Sequence, residues 1–150
     1  MEKICSCFGH RDVELTPELE KAIADTVASL FQQGASIFYF GGFGDFDKYC
    51  HTAVTRMKEK HPNIKRVYCL EDERYLRESK RPKYLKAEDY EEFIYIPLKY
   101  DYWYTRIYYR NLEIMDSSDF IIFYIRNEEK SGAYKCYKYA RQNKFNIIKV

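Results

Sequence analysis

Short apolar runs alternate with amphipathic stretches along this chain. Ile4-Cys5-Ser6-Cys7-Phe8 reads as a first strand that stops at Gly9-His10-Arg11. Thr16-Pro17 has the form of an N-cap followed by proline in the first helical position. Leu19, Ala22, Ile23, Val27, Leu30 and Phe31 then recur at helical spacing, and Gly34 closes the pattern, so a helix is predicted over 17–33. A second apolar run, 36–40, predicts a strand, and Phe46, Tyr49, Cys50, Ala53, Val54 and Met57 predict a helix ending near His61-Pro62. Residues 65–70 read as a third strand. From Glu71 to Asp89 the chain is charged and irregular around Pro82, which reads as a surface loop carrying a helical turn. Phe93-Ile94-Tyr95-Ile96 reads as a short fourth strand closed by Pro97. A helix over 103–117, a buried strand over 119–125, a helix over 132–143 and a last strand over 147–150 complete the pattern.

Strands alternate with helices throughout, and most strands are apolar on both faces. That pattern belongs to a parallel sheet covered on both sides. With right-handed crossovers the fold class is α/β, a Rossmann-like doubly wound, mostly parallel sheet with helices on both faces. The 150 residues make one domain, 1–150.

Composition changes this picture in few places. The net charge of +2 comes from nearly balanced acids and bases, and no basic stripe stands out, which argues against a dedicated nucleic-acid binder. No apolar run of about 18 residues predicts a membrane span, and the N-terminus lacks the apolar core of a signal peptide. The five cysteines include no C-x-x-C pair and fall in apolar runs, so they read as buried free thiols of a cytoplasmic protein. Cys5 and Cys7 have no evident partner ligands for a metal. Neither a metal nor a cofactor is expected. Tyrosine is over-represented: there are 16, and half fall between Tyr84 and Tyr109. These rings suit a homo-oligomer interface, base stacking, or core.

In a doubly wound fold, ligands bind at the C-terminal ends of the strands. Four polar or glycine-rich segments fall there: Gly9-His10-Arg11, Gly41-Gly42-Phe43-Gly44-Asp45, Arg110-Asn111, and Ser131-Gly132-Ala133-Tyr134. A glycine-rich turn between a strand and a helix can present backbone N–H groups to phosphate. The spacing is neither the dinucleotide fingerprint nor a P-loop. His10 and Arg11 either meet phosphate oxygens or cap the sheet edge. Asp45 reads as the N-cap of the second helix. Asp47, in that helix's first turn, either answers the helix dipole or hydrogen-bonds a ribose hydroxyl. Arg110 either neutralises a phosphate or is an ordinary helix-surface arginine, and Asn111 lies on or beside the same face. The basic stretch from Arg74 to Lys86 is interleaved with acids and reads as a solvated loop.

Taken in order, these segments resemble a known family. Phe8-Gly9-His10-Arg11 resembles the F-x-G-H-R opening of small bacterial proteins of the SLOG superfamily, relatives of DprA and of the LOG phosphoribohydrolases. Gly41-Gly42-Phe43-Gly44-Asp45-Phe46-Asp47 resembles their G-G-x-x-G-x-D turn with the glycine spacing one residue shorter. Arg110-Asn111 with Met115 and Asp119 resembles their R-N segment, and Ser131-Gly132-Ala133-Tyr134 stands in the place of a G-G-T-x-Y turn. The resemblance implies a domain that senses or sequesters an adenine-containing or ADP-ribose-like nucleotide. Amides at Gly41 to Gly44 and at Gly132 would hold phosphate, with charge from Arg11 and Arg110. It leaves open an N-glycosidic hydrolase, in which Arg110 would be the catalytic arginine. The LOG glutamate has no counterpart between Ser131 and Tyr137, so Asp47 or Glu113 would have to replace it. DNA binding by analogy with DprA is the weakest expectation.

Overall fold

The computed structural model describes residues 2–42, 44–97, 103–126 and 131–150, the side chains of 103 and 104 excepted. The chain runs β1 (Lys3–Gly9), α1 (Pro17–Gln32), β2 (Ala35–Phe40), α2 (Asp45–Lys60), β3 (Lys65–Leu70), β4 (Glu92–Tyr95), α3 (Trp103–Asp116), β5 (Phe120–Tyr124), α4 (Gly132–Gln142) and β6 (Ile147–Lys149). The strands form one six-stranded sheet in the order β4-β3-β2-β1-β5-β6, and every pairing is parallel. This is the doubly wound Rossmann-like α/β fold that the apolar pattern predicts.

Both faces of the sheet are covered, which is why its strands are apolar at successive positions. Phe120 and Ile122 of β5 pack with Ile23, Val27 and Leu30 of α1 and Phe46, Cys50 and Val54 of α2. Their neighbours Ile121 and Phe123 point the other way, into a cluster with Met115 of α3 and Cys136 and Ala140 of α4. A two-residue period thus feeds two cores from one strand. The crossover from β3 to β4 carries no α-helix. Three short 3₁₀ turns (Glu73–Leu76, Glu78–Lys80, Ala87–Asp89) do its work, and Leu85 from this segment covers Tyr68 and Leu70 of β3.

Local signals hold at α1: Thr16 caps it, its Oγ1 accepting the Leu19 N–H at 3.1 Å, with Pro17 in the first turn. At α2 the expected cap moves by one residue. Gly44 (φ 91°) is the N-cap and Asp45 is the first helical residue. Asp45 instead ties the helix to the segment after β1: its carboxylate accepts the Val13 N–H at 3.0 Å and its own N–H donates to the Arg11 carbonyl at 2.7 Å.

The tyrosine-rich stretch divides. Tyr90 packs among Phe40, His51, Tyr68 and Phe93 as part of the core, whereas Tyr84 is 58% exposed. The densest aromatics, Tyr100 to Tyr104, lie outside the described residues or side chains. Among the described residues no helix is long and apolar enough to cross a membrane.

Candidate functional site

Strand order reverses at β1: its chain leaves toward β2, while β5 on its other side leads away to β6. A crevice opens above such a switch point. Here it is a cavity of about 300 Å³ lined by Gly9, His10 and Arg11 after β1, Gly41 and Asp47 of the β2–α2 turn, Arg110 and Asn111 of α3, and Ser131, Gly132 and Ala133 at the start of α4. Segments far apart in sequence meet there because each follows, or packs over, the C-terminal end of a central strand.

Arg110 is 1% exposed. One guanidinium nitrogen donates to the Cys69 carbonyl at 3.0 Å and faces the Glu71 carboxylate at 3.4 Å. The other donates to Asn111 Oδ1 at 3.0 Å. Asn111 in turn directs its amide toward Cys136 Sγ of α4, 3.9 Å away. Burial raises the Glu71 carboxyl above its ordinary value, and the Arg110 charge opposes that rise. Arg110 is therefore not an exposed helix arginine. It is a buried cation that already has an anion, and its reach toward a ligand phosphate is limited by that pairing.

The glycine turn is also occupied from within. Asp47 accepts the N–H of Gly41 at 3.3 Å and of Gly42 at 2.9 Å, one on each carboxylate oxygen. These are two of the amides expected to cradle phosphate, and here they hold the chain's own carboxylate. Burial pushes the Asp47 carboxyl up to about 6, against the two amide hydrogen bonds and Arg110, which lower it. A Cβ on Gly41 would stand 2.4 Å from Arg110 Nη2, so any side chain there would displace the buried guanidinium. Gly42 has φ +73°, and its Cβ would meet the Tyr68 ring at 2.6 Å. The Tyr68 hydroxyl donates to the Gly41 carbonyl at 2.9 Å, pinning the turn. Gly42 and Gly44 shape this turn without lining the cavity, and Phe43 lies outside the described residues.

The opposite wall differs. Ser131 caps α4, its Oγ accepting the Tyr134 N–H at 3.0 Å. The first turn of α4 carries no acidic residue, and a Cβ on Gly132 would meet nothing within 4 Å. α2 begins with Asp45 and Asp47, so of these two helix starts at the cavity it is that of α4 whose positive end meets no acid in its own first turn. His10 closes the crevice between β1 and β5: its Nε2 accepts the Arg126 N–H at 2.9 Å. Burial and the Arg126 charge lower its pKa. Arg11 is exposed and forms no ion pair among the described residues.

Glu113, named as a substitute catalytic carboxylate, is exposed on α3 and does not line the cavity. Sequence reasoning missed Glu71, Cys7, Ile107 and Cys136. Glu71 is the first residue beyond β3, a charged group at the C-terminal edge, and that position was its signal.

The near-neutral net charge hides an uneven surface, which corrects the expectation that no basic stripe exists. Residues 131–150 contain Lys135, Lys138, Arg141, Lys144 and Lys149 and no acid, and all five are exposed. Lys138 lies over the Tyr134 ring at 5.5 Å. Arg141 and Lys149 lie over Tyr137 at 5.6 and 5.1 Å.

No family model and no curated protein matches this sequence. Solved structures do match in fold. DNA processing protein A (DprA) from Streptococcus pneumoniae superposes with a TM-score of 0.67 at 14% identity, over 99% of this chain and 50% of that one. DprA from Helicobacter pylori, described for its single-stranded DNA binding mode, superposes with a TM-score of 0.59 at 16% identity, over 98% of this chain and 64% of that one. The chain spans between half and two thirds of the length of these neighbours. What it shares with them is a DprA-like, Rossmann-like fold.

Proposed function

We propose that this chain is a SLOG-type domain that binds a nucleotide-derived ligand, adenine- or ADP-ribose-like, in the cavity above β1 and β5. The observation that carries this reading is the convergence of the β1 loop, the β2–α2 turn, α3 and α4 on one cavity at the switch point. At about 300 Å³ the cavity stands at the small end of the usual ligand range of roughly 300–1,000 Å³, which favours a mononucleotide-sized group. The start of α4, Gly132, Ala133 and Arg11 form the anion end.

A thermal-shift and calorimetry panel of AMP, ADP-ribose, NAD and cyclic dinucleotides tests it. A ligand at 100 times its dissociation constant stabilises by about 2.7 kcal/mol, which raises the melting temperature by roughly 5–11 °C at this size. Gly132→Asp is the decisive variant. It adds an anion where phosphate would sit, while the open space and the helix dipole let the fold keep it. Binding that survives Gly132→Asp unchanged, or flat curves across the panel, would sink the proposal. Release of free adenine from AMP would make the protein a hydrolase, with Asp47 as the acid–base candidate on its pKa of about 6.

A second reading is single-stranded DNA binding, favoured by the basic, tyrosine-lined surface of α4 and β6. Stacked rings with cations beside them suit bases and phosphates. Its affinity for an oligonucleotide should fall with salt by a log–log slope of about 0.7 per phosphate contact, and Lys138→Glu should weaken it. Salt-independent binding, or none, excludes this reading.

A further inference from the structure

We propose that Asp47 sets the ligand's orientation and chemistry: it receives a vicinal diol, as in an unsubstituted ribose, and rejects a second phosphate at that end of the cavity. This rests on the nucleotide reading above and goes beyond it by naming the group that each wall recognises.

Three observations support it. Asp47 is 8% exposed, and what remains accessible lines the cavity. Among the described residues its carboxylate oxygens each take one amide, from Gly41 and from Gly42. An ionised carboxylate has about four acceptor sites, so these two bonds leave it capacity for the hydroxyl groups of a ligand. The turn that would otherwise bind an anion is thereby converted into an acceptor of O–H groups. The partners around it hold it in this role. Arg110, the nearest buried cation, is turned to Glu71 and the Cys69 carbonyl, and Tyr68 spends its hydroxyl proton on the Gly41 carbonyl. The α4 wall has no carboxylate in its first turn. A ligand with an anion at one end and a diol at the other matches the cavity in one orientation only. A nucleotide phosphorylated at its 2′ or 3′ position would bring a second anion against the buried carboxylate, and like charges there repel strongly.

The groups facing Asp47 that titrate or carry charge are the thiols of Cys7, Cys50 and Cys69, all raised above their ordinary value, the hydroxyls of Tyr68 and Tyr90, pushed up by burial, and the Arg110 charge. His10 on the cavity wall and Glu71 beside Arg110 are shifted as well, and a phosphate's second ionisation lies at about 6. The share of a pH-dependent change in selectivity that belongs to Asp47 is therefore the share that Asp47→Asn abolishes.

The test is calorimetry on the full chain with AMP, 2′,3′-dideoxy-AMP and adenosine 3′,5′-bisphosphate at pH 7.5 and pH 5. At pH 7.5 AMP should bind at least about tenfold more tightly than either analogue, the loss expected for a hydrogen bond to a charged acceptor. At pH 5, with Asp47 protonated, the penalty on the bisphosphate should shrink severalfold. Asp47→Asn should shrink it at both pH values. If that variant does not fold, the comparison of AMP with 2′,3′-dideoxy-AMP at pH 7.5, which carry the same phosphate, decides the diol role by itself. Equal binding of the three nucleotides, or tighter binding of the bisphosphate, overturns the role of Asp47 and leaves the cavity assignment standing. No binding by any of the three removes adenosine monophosphate as the ligand and this inference with it, while the wider nucleotide reading stands or falls on the panel above.

Discussion

The Arg110 guanidinium, from α3 in the wall of the cavity, faces the Glu71 carboxylate, just beyond β3, at 3.4 Å. Removing one member of a buried pair leaves the other as an uncompensated charge, a loss of about 3–5 kcal/mol. Arg110→Met should therefore destabilise the fold by that order, because Glu71 and the Cys69 carbonyl both lose a donor. Glu71→Gln, which keeps a polar acceptor for Arg110, should cost less. Urea denaturation of both variants checks this ordering. A near-neutral Arg110→Met would show that the pair contributes nothing to folding.

The glycines at the two walls should respond oppositely to the same change. Gly42→Ala forces a side chain into φ +73° and against the Tyr68 ring, and strain of this kind costs about 1–3 kcal/mol. Gly132→Ala places a methyl in open space at the start of α4, where the usual gain over glycine is about 0.4–1 kcal/mol. Thermal melts of the two single variants should move in opposite directions. Stabilisation by Gly42→Ala would contradict the turn geometry.

That contrast also marks where sequence reading reached and where it stopped. The alternation of strands and helices was legible because strands buried on both faces are apolar at successive positions, as Phe120 to Phe123 show. The segment between β3 and β4 was not, because its three 3₁₀ turns follow no hydrophobic period. The meeting of Gly9, Gly41, Arg110 and Gly132 at one cavity could be inferred from the rule that ligands gather at strand ends. The state of those residues could not. Glu71 claims Arg110 from 39 positions away, a tertiary pairing with no local signature. Asp47 left a better clue. It is the third residue of α2, a place from which a carboxylate reaches back to amides before the helix.

The same carboxylate gives the protein a stability term that declines with rising pH. Asp47 is raised from 3.8 to about 6 in the fold, so the folded state holds its proton more tightly than the unfolded chain does. The benefit is complete below pH 3.8, and it disappears as pH rises through about 6. Subtracting the stability of Asp47→Asn from that of the wild type isolates it. The difference should fall between pH 4 and pH 7 by on the order of 2–3 kcal/mol. A difference flat with pH would mean that Asp47 titrates normally.

His10 should behave in the opposite sense. Its Nε2 accepts the Arg126 N–H at 2.9 Å, which requires that nitrogen to be unprotonated, because both ring nitrogens of a charged imidazole are donors. Its folded pKa is lowered by burial and by Arg126. The tie between the β1 and β5 loops is therefore fully present above the ordinary histidine value of about 6.5 and is lost as pH falls through the lowered one. Hydrogen exchange at the Arg126 amide, corrected for intrinsic rate, should show protection that drops at acid pH. In His10→Phe, which retains a ring beside Tyr124 but no acceptor, protection at Arg126 should be low and independent of pH. Protection in the wild type that persists below pH 5 would show that another acceptor holds this amide and that His10 does not clasp the crevice.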